Sequence, residues 1–213
     1  MNALLAAAAP LLASAFVVWG APVTWLEVVA FALSIAMVVF NIRVNAIGWP
    51  LAIASSLLYF LLFWNSRLYG DASLQVFFAV VAAWGWWQWL RGTDAEGHAL
   101  RVRRLTAAGR LNVLVAIAIA WPATALFLRR FTDTDVPWWD AFPTAASVVG
   151  QWLLGRKYVE NWPVWIVVDV VGAALFAYKG LWLTMVLYVV FVVMAAVGWL
   201  SWHRRATALE PSR

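Results

Sequence analysis

Long apolar runs separated by short polar segments set the pattern of the chain. Backbone groups in hydrocarbon must be hydrogen-bonded internally, and the runs are continuous rather than alternating, so we expect helices rather than barrel strands. The sequence therefore predicts seven transmembrane helices. The seven runs are Trp25–Asn41, Trp49–Trp64, Ser73–Leu90, Leu111–Leu128, Ala141–Leu154, Trp162–Tyr178 and Leu181–Trp202.

An eighth apolar segment, Met1–Gly20, precedes these runs and is rich in alanine and leucine, with Pro10 near its middle and no charged residue. A secretory signal normally carries basic residues before its apolar part, so we expect no cleavage. The segment is weakly apolar for a span. We predict that residues 1–24 form an extra N-terminal apolar helix, in or along the membrane and outside the core.

The pattern Gly-Trp-x-x-Trp occurs at Gly85–Trp89 and again at Gly198–Trp202, 113 residues later. The same offset places Trp49-Pro50 on Trp162-Pro163 and matches several acidic, basic and tryptophan positions. These further matches are Trp25 with Trp138, Glu27 with Asp140, Ser34 with Ser147, Arg43 with Arg156 and Arg91 with Arg204. Shared polar positions are unexpected by chance in so apolar a chain, so we predict an internal duplication of residues 25–91 and 138–204.

Each copy of the duplication contains three apolar runs, and a single run lies between the copies. Equivalent helices of the two copies are therefore four helices apart along the chain. Because four crossings of the membrane restore the original direction, the two copies run in the same direction. We therefore predict an all-α integral membrane fold of seven core helices, arranged as 3+1+3 parallel repeats. Residues 92–137 form a basic loop and linker helix, and residues 205–213 form a cytoplasmic tail.

Composition agrees with a membrane class, because 65% of residues are hydrophobic and 12% are charged, against about 45–50% and about 25% in soluble domains. The net charge of +5 comes without a basic helix or aromatic-basic platform, so nucleic acid is not an expected partner. The absence of cysteine excludes disulfides and thiolate catalysis. The lipid bilayer is the expected environment.

Basic residues predict the orientation in the membrane. Eleven of the fifteen Lys and Arg residues fall in one set of alternate loops and in the C-terminal tail, which we assign to the cytoplasm. The other four are Arg67, Arg129, Arg130 and Lys179. Tryptophans near helix ends are typical of interfacial anchors. These are Trp25, Trp64, Trp89, Trp138, Trp139 and Trp202.

Catalytic chemistry is not indicated. His98 and His203 lie in a loop and at a membrane edge, away from any partner for metal binding or nucleophile activation, and no phosphate-binding or hydrolase pattern occurs. We expect no enzyme activity, no catalytic residue, no metal and no cofactor. A seven-helix photoreceptor would need a Schiff-base lysine deep in a helix, whereas Lys179 lies at a helix end.

Asp169 is the one acidic residue deep inside a predicted span, which makes it a candidate functional group; the alternative is a structural hydrogen bond to a neighbouring helix. It shares a helical face with Trp162 and Trp165, continued by Gly172 and Phe176. Equivalent stripes occur in the third and seventh runs. They consist of Gln75, Phe78, Ala82, Trp86 and Trp89, and of Tyr188, Phe191, Ala195, Trp199 and Trp202.

These stripes predict a polar, ring-lined cavity between the two halves, although each stripe alone is more often core packing. Trp86 and Trp199 are the expected ligand neighbours, one turn deeper than Trp89 and Trp202. Aromatic walls stack on flat rings and attract cations, so a flat, cationic or hydroxylated heterocycle fits. The predicted substrate-binding residues are Asp169, Trp165, Trp162, Gln75, Trp86, Tyr188, Trp199, Ser55 and Tyr59.

Two stretches of the sequence closely resemble the bacterial nicotinamide riboside transporter family, PnuC. They are 68–89, with its Leu-Gln-Val-Phe-Phe and Gly-Trp-Trp-Gln-Trp segments, and 156–165, which begins Arg-Lys-Tyr-Val-Glu-Asn-Trp. The resemblance covers about 25–202. It implies a full-length relative of the half-size SemiSWEET transporters in the bacterial inner membrane. It also implies a homotrimer and a facilitator whose import is trapped by a cytoplasmic kinase.

The resemblance implies nicotinamide riboside as substrate, carried by alternating access as the two three-helix bundles rock about a midplane site. Gln75, Trp86, Trp162 and Trp165 match the family pattern. Riboside transporters commonly have asparagine at the positions of Ser55, Ala82 and Asp169, so the polar contacts differ here. Thiamine, riboflavin and deoxynucleosides are therefore alternative substrates. Sodium or proton coupling through Asp169 is an alternative to facilitated diffusion.

Overall fold

A computed structural model describes residues 8–18, 20–65, 69–132, 135–178 and 182–208 of the 213-residue chain. Outside these ranges lie Arg67, Lys179 and Leu181, residues 1–7 of the predicted N-terminal helix and residues 209–213 of the predicted tail. Within the described ranges the chain is almost entirely helical. Its long helices are α1 (Trp25–Ile42), α2 (Gly48–Asn65), α3 (Tyr69–Arg91), α4 (Ala107–Phe131), α5 (Pro137–Gly155), α6 (Asn161–Tyr178) and α7 (Trp182–Ala208).

Five of the described helices are long and apolar enough to cross a membrane: α1, α2, α4, α6 and, over Met185–Ala208, α7. A span needs about 20 mainly apolar residues at a rise of 1.5 Å each. Large apolar side chains on their surfaces, such as Leu114, Ile119 and Val193, are exposed, as expected of helices that face lipid. The fold is therefore that of an all-α integral membrane protein.

The N-terminal segment differs from the helix predicted for residues 1–24. Residues 8–12 are helical, but Ser14–Val18 and Ala21–Thr24 form two antiparallel strands, β1 and β2, joined at Gly20. Gly20 has a φ of +82°, which glycine adopts without steric cost, and both strands contain β-branched residues. The helix prediction is wrong for residues 14–18 and 20–24, because the turn at Gly20 and the β-branched residues favour a hairpin over a helix.

The chain divides into two compact units, Met1–Leu90 and Arg91–Arg213. In the first unit, α1 begins with a reciprocal cap: the Glu27 backbone N–H donates to Thr24 Oγ1 at 3.2 Å, and the Thr24 backbone N–H donates to Glu27 Oε2 at 2.7 Å. Helix α1 packs on α2. At this contact Ser55 donates to the Ala30 carbonyl at 3.0 Å, and its Oγ lies 2.9 Å from Ser34 Oγ.

In the second unit, α4 packs on α5, α5 on α6 and α6 on α7. Small residues line the buried face of α5, among them Ala141, Ala145, Ala146 and Gly150. Small side chains let helix backbones approach closely, which is the main source of packing energy where lipid surrounds both helices. Helix α6 is thus held on one side by α5 and on the other by α7.

The connection between α1 and α2 has the same backbone geometry as the connection between α5 and α6, 113 residues later. Val44 and Lys157 adopt left-handed conformations with φ of 59° and 57°. The hydrogen bonds correspond one to one: for example, Asn45 N–H donates to Phe40 O, and Tyr158 N–H donates to Leu153 O, both at 2.9 Å. Two different sequences therefore form the same bend.

The inter-repeat loop, residues 92–106, is fastened to the connection between α5 and α6. Arg103 and Tyr158 form a parallel bridge, in which Arg103 N–H donates to Lys157 O at 3.1 Å and Val159 N–H donates to Arg103 O at 3.0 Å. Glu160 accepts from the Leu105 backbone N–H and from Arg110 Nε, each at 3.0 Å. Burial lowers the pKa of the Lys157 ammonium, which donates to the Leu100 carbonyl at 3.0 Å. The loop and α4 are thus tied to the α5–α6 connection.

Candidate functional site

A tryptophan pair packed on a glycine occurs once in each unit. In the first, Trp49 of α2 lies against Gly85 of α3 and meets Trp89 edge to face, with ring centroids 5.5 Å apart at 82°. In the second, Trp162 lies against Gly198 and meets Trp202 at 5.5 Å and 88°. A Cβ on Gly198 would come within 2.6 Å of the Trp162 ring. Both Gly-Trp-x-x-Trp patterns are therefore packing devices that join two helices.

The assignment of Trp89 and Trp202 as interfacial anchors is wrong. Trp89 is 8% exposed and Trp202 is 0% exposed, because each ring is enclosed by the tryptophan of the preceding helix. By contrast, Trp86 and Trp199 are 37% and 43% exposed, so their indoles remain available to lipid or a ligand. Among the other predicted anchors, Trp25, Trp138 and Trp139 are exposed.

Asp169 lies in the middle of α6 with 7% of its surface exposed. No hydrogen bond or ion pair of this carboxyl occurs within the part of the chain that the structure describes. A buried carboxyl group without a partner loses the hydrogen bonds that water would provide, which is a large cost. Such a group is more easily explained as one that meets a ligand than as one that stabilises the helix bundle.

Residues of α6 one turn before and one turn after Asp169 contact the neighbouring helices. One turn earlier, Trp165 lies over Gly150 of α5, where a Cβ would stand 3.3 Å from the indole. One turn later, Gly172 lies against the ring of Tyr188 from α7. Trp165 and Gly172, on which Tyr188 packs, thus lie one turn before and one turn after Asp169 on α6, and a shared substrate site for these residues stays a prediction. Trp162, predicted with them, is buried beneath Trp202 near the start of α6.

The predicted site residues of the first unit have other surroundings. Ser55 is buried and hydrogen-bonded into the contact between α1 and α2. Tyr59 is partly exposed and stacks on Phe63, with ring centroids 5.9 Å apart at 22°. Gln75 is also partly exposed, on α3. Tyr59 and Gln75 therefore remain available to a ligand, whereas Ser55 already has protein partners.

Sequence reasoning missed the contacts of Glu160 with Leu105 and Arg110, and the glycine partners of the tryptophans. The first rests on charges 50 residues apart, which no local pattern reveals. The second was indicated by the repeated glycine of Gly-Trp-x-x-Trp. Among the described residues, no group of three or more His, Asp or Glu side chains could hold a metal ion.

Helices able to cross a membrane, five of them among the described residues, define the class of multi-pass membrane proteins. Residues 24–204 match the family described as "Nicotinamide mononucleotide transporter". The chain therefore belongs to this family, whose members are membrane transporters and not enzymes.

Two curated relatives and one solved structure illustrate the similarity. The riboflavin/roseoflavin transporter RibM of Streptomyces davaonensis is 31% identical over 195 residues, covering 90% of this chain and 91% of RibM. The nicotinamide riboside transporter PnuC of Escherichia coli is 25% identical over 173 residues, covering 70% and 72%. The crystal structure of the vitamin B3 transporter PnuC shares the fold, with a TM-score of 0.71, 24% identity and coverage of 87% and 83%.

Proposed function

We propose that the protein imports an aromatic vitamin across the bacterial inner membrane by facilitated diffusion, with riboflavin as the first candidate. The observation that carries this proposal is the buried carboxyl of Asp169 in the middle of α6, with Trp165 one turn before it and Gly172, which packs on Tyr188 of α7, one turn after it. Rings on both sides suit a flat heterocycle, and a carboxylate accepts a hydrogen bond from a ring N–H such as the imide of a flavin. The 31% identity to a riboflavin transporter over nine tenths of both chains supports this choice.

Nicotinamide riboside is the second candidate, and the charge of Asp169 favours it. Its pyridinium ring is flat and positively charged, so a carboxylate and aromatic faces would both attract it. The family resemblance and the 25% identity to a nicotinamide riboside transporter support it. In either case a cytoplasmic kinase would phosphorylate the substrate and make uptake one-way.

We further propose the 3+1+3 arrangement of the helices, with α4 between two parallel repeats and the C-terminus in the cytoplasm. The repeated connection geometry and the repeated Trp-Gly-Trp packing support two equivalent three-helix repeats. The bias of basic residues supports the orientation. Transport would occur by alternating access of the two repeats, and assembly would be homotrimeric.

A binding titration of the purified protein tests the substrate. Quenching of tryptophan fluorescence would be followed with riboflavin, nicotinamide riboside and thiamine. We expect saturable binding of riboflavin, and we expect Asp169→Asn to weaken a cationic ligand more than a neutral one, because only the cation loses a charge pair. The matched control is Glu96→Gln, which removes an exposed carboxylate from the inter-repeat loop. Failure of all three vitamins to bind the wild type would refute the proposal.

Uptake into proteoliposomes tests the mechanism. Facilitated diffusion predicts that labelled substrate equilibrates at the same rate with and without proton or sodium gradients. Uptake that stops when either gradient is removed would show ion coupling instead.

A further inference from the structure

The two repeats differ by an exchange of tyrosine between helices. In the first, Tyr59 lies on α2 and Gln75 on α3; 113 residues later, Gly172 lies on α6 and Tyr188 on α7. The helix pairs have the same antiparallel register, because Trp49 meets Gly85 and Trp162 meets Gly198. Tyr59 is thus level with Gln75, as Gly172 is with Tyr188. The tyrosine therefore lies on the first helix of the pair in one repeat and on the second helix in the other, at the same level.

The absence of a side chain at Gly172 fixes where the Tyr188 ring lies. A Cβ at this position would come within 2.5 Å of both Cδ1 and Cε1 of the ring, a separation that packed atoms do not tolerate. Phe176 and Phe191 hold the same ring from two further directions, with centroid distances of 4.9 and 6.2 Å. The Tyr188 ring is therefore pressed against the α6 backbone, and little room remains for another orientation.

The register also places Asp169 one helical turn from the level of this ring. Trp162 meets Gly198 and Gly172 meets Tyr188, so Asp169 is level with Phe191, one turn of α7 beyond Tyr188. The carboxyl is buried and has no hydrogen-bonding partner among the described residues. In the first repeat the equivalent position is Ser56, and the ring of Tyr59 stacks on its own helix. A fixed ring one turn from a buried carboxyl thus occurs only in the second of these two helix pairs.

We infer that Gly172 is a specificity-determining positioning residue, which seats Tyr188 as a rigid stacking wall one turn from Asp169 for a flat, neutral or cationic heterocycle. The inference rests on the proposed function and adds to it the residue that shapes the site. Gly172 acts through Tyr188 and needs no contact with the substrate. The ring of Tyr188, rather than its hydroxyl, supplies the stacking surface.

The experiment compares dissociation constants for riboflavin and nicotinamide riboside across a small set of variants. Tyr188→Phe keeps the ring, and we expect both constants to stay within roughly threefold of wild type. Tyr188→Gln, which places the first-repeat residue in the second repeat, removes the ring without overpacking. Loss of one stacking partner should weaken the preferred ligand by about tenfold or more. Gly172→Ala should do the same by displacing the ring.

The matched control is Gly85→Ala, which overpacks the equivalent helix pair of the first unit against Trp49. It should lower the melting temperature as Gly172→Ala does, but leave the ratio of the two dissociation constants unchanged. If Gly172→Ala does not fold, Tyr188→Gln alone decides. Unchanged binding by Tyr188→Gln, or a ratio altered equally by Gly85→Ala, would overturn the inference alone. A wild type that binds neither vitamin would overturn the inference together with the proposed function.

Discussion

Single residues in this protein separate into those that hold helices together and those that remain available to a ligand. Trp49 and Trp162 belong to the first group, since each is almost fully buried against a glycine and a second tryptophan. Trp86 and Trp199 belong to the second, since 37% and 43% of their surfaces are exposed. The separation matters because both groups contain the aromatic residues that a sequence pattern alone would assign to one site.

Replacing either buried tryptophan should reduce stability more than binding. We expect Trp49→Ala and Trp162→Ala each to lower the free energy of unfolding by roughly 3 kcal/mol or more, because each leaves a large cavity. Thermal unfolding in detergent measures this effect. Trp152→Ala, at an exposed position of α5, serves as the control. Full stability together with lost vitamin binding in Trp162→Ala would return that residue to the substrate site.

At this scale the sequence identified Asp169 from its depth in an apolar run, because few physical reasons place a carboxyl there. It could not distinguish Trp86 from Trp89, since both fall within about one turn on the same stripe. The distinction depends on which ring meets Trp49, a residue 40 positions away from Trp89. The exposure of each ring depends on contacts between helices, and the periodicity of one helix gives no information about those contacts.

Pairs of helices show how polar groups act inside an apolar bundle. Ser34 and Ser55 join α1 to α2, and Ser55 also bonds a backbone carbonyl of α1. Hydrogen bonds between helices in membranes have a modest net value, on average about 0.6 kcal/mol in double-mutant cycles. The serine pair is therefore expected to add only a small stabilisation to the packing of α1 on α2.

A double-mutant cycle of Ser34→Ala and Ser55→Ala should give a coupling energy of about 0.6 kcal/mol, with vitamin affinity unchanged. Unfolding in a denaturing detergent measures the coupling, and fluorescence titration measures the affinity. Thr144→Ala, which removes a hydroxyl bonded to its own helix, is the control for local effects. A loss of affinity in Ser55→Ala would place Ser55 at the substrate after all.

The inter-repeat loop offers a second test at the level of elements. Glu160→Gln removes the negative charge of the side chain that accepts hydrogen bonds from Leu105 N–H and Arg110 Nε. The loop should therefore detach from the α5–α6 connection more often. Limited trypsin digestion should then cut at Arg101, Arg103 or Arg104 several times faster. Glu96→Gln, in the same loop but exposed, should digest at the wild-type rate. Equal rates for all three proteins would show that Glu160 does not hold the loop.

Helix positions were well predicted, because every predicted run lies largely within an observed helix. The hairpin at Ser14–Thr24 was missed, since apolar composition was given more weight than Gly20 and the β-branched residues around it. The fastening of the loop to Glu160 could not be foreseen, because it joins positions brought together only by the fold.

The molecule as a whole is a multi-pass membrane transporter of two compact units. Composition and the continuous runs were sufficient to predict the membrane class, because no soluble protein could cover so much apolar surface. The sequence also predicts an internal duplication, since tryptophan, proline and arginine positions coincide at one offset. The substrate was not predictable to the same degree, because it depends on which few side chains contact it, and the fold decides those contacts.

The absence of cysteine allows a clean test of orientation with single substitutions. Glu96→Cys, in the inter-repeat loop, should react with a membrane-impermeant maleimide only after the cells are permeabilised. Thr132→Cys, just after α4, should react in intact cells. Together the two outcomes would place the loop in the cytoplasm and the end of α4 outside. The reverse pattern would invert the topology proposed above.

The repeated bend between helices lets each half serve as a substitution guide for the other. Val44 holds a left-handed conformation that is unfavourable for a β-branched residue, and the equivalent position carries Lys157. Val44→Lys should therefore be tolerated, and Val44→Gly should raise the free energy of unfolding by about 1 kcal/mol through relief of strain. Chemical denaturation would measure both. The two connections thus form the same bend from different residues. Exchanging residues between them one at a time would show which positions the bend itself requires and which are specific to one half.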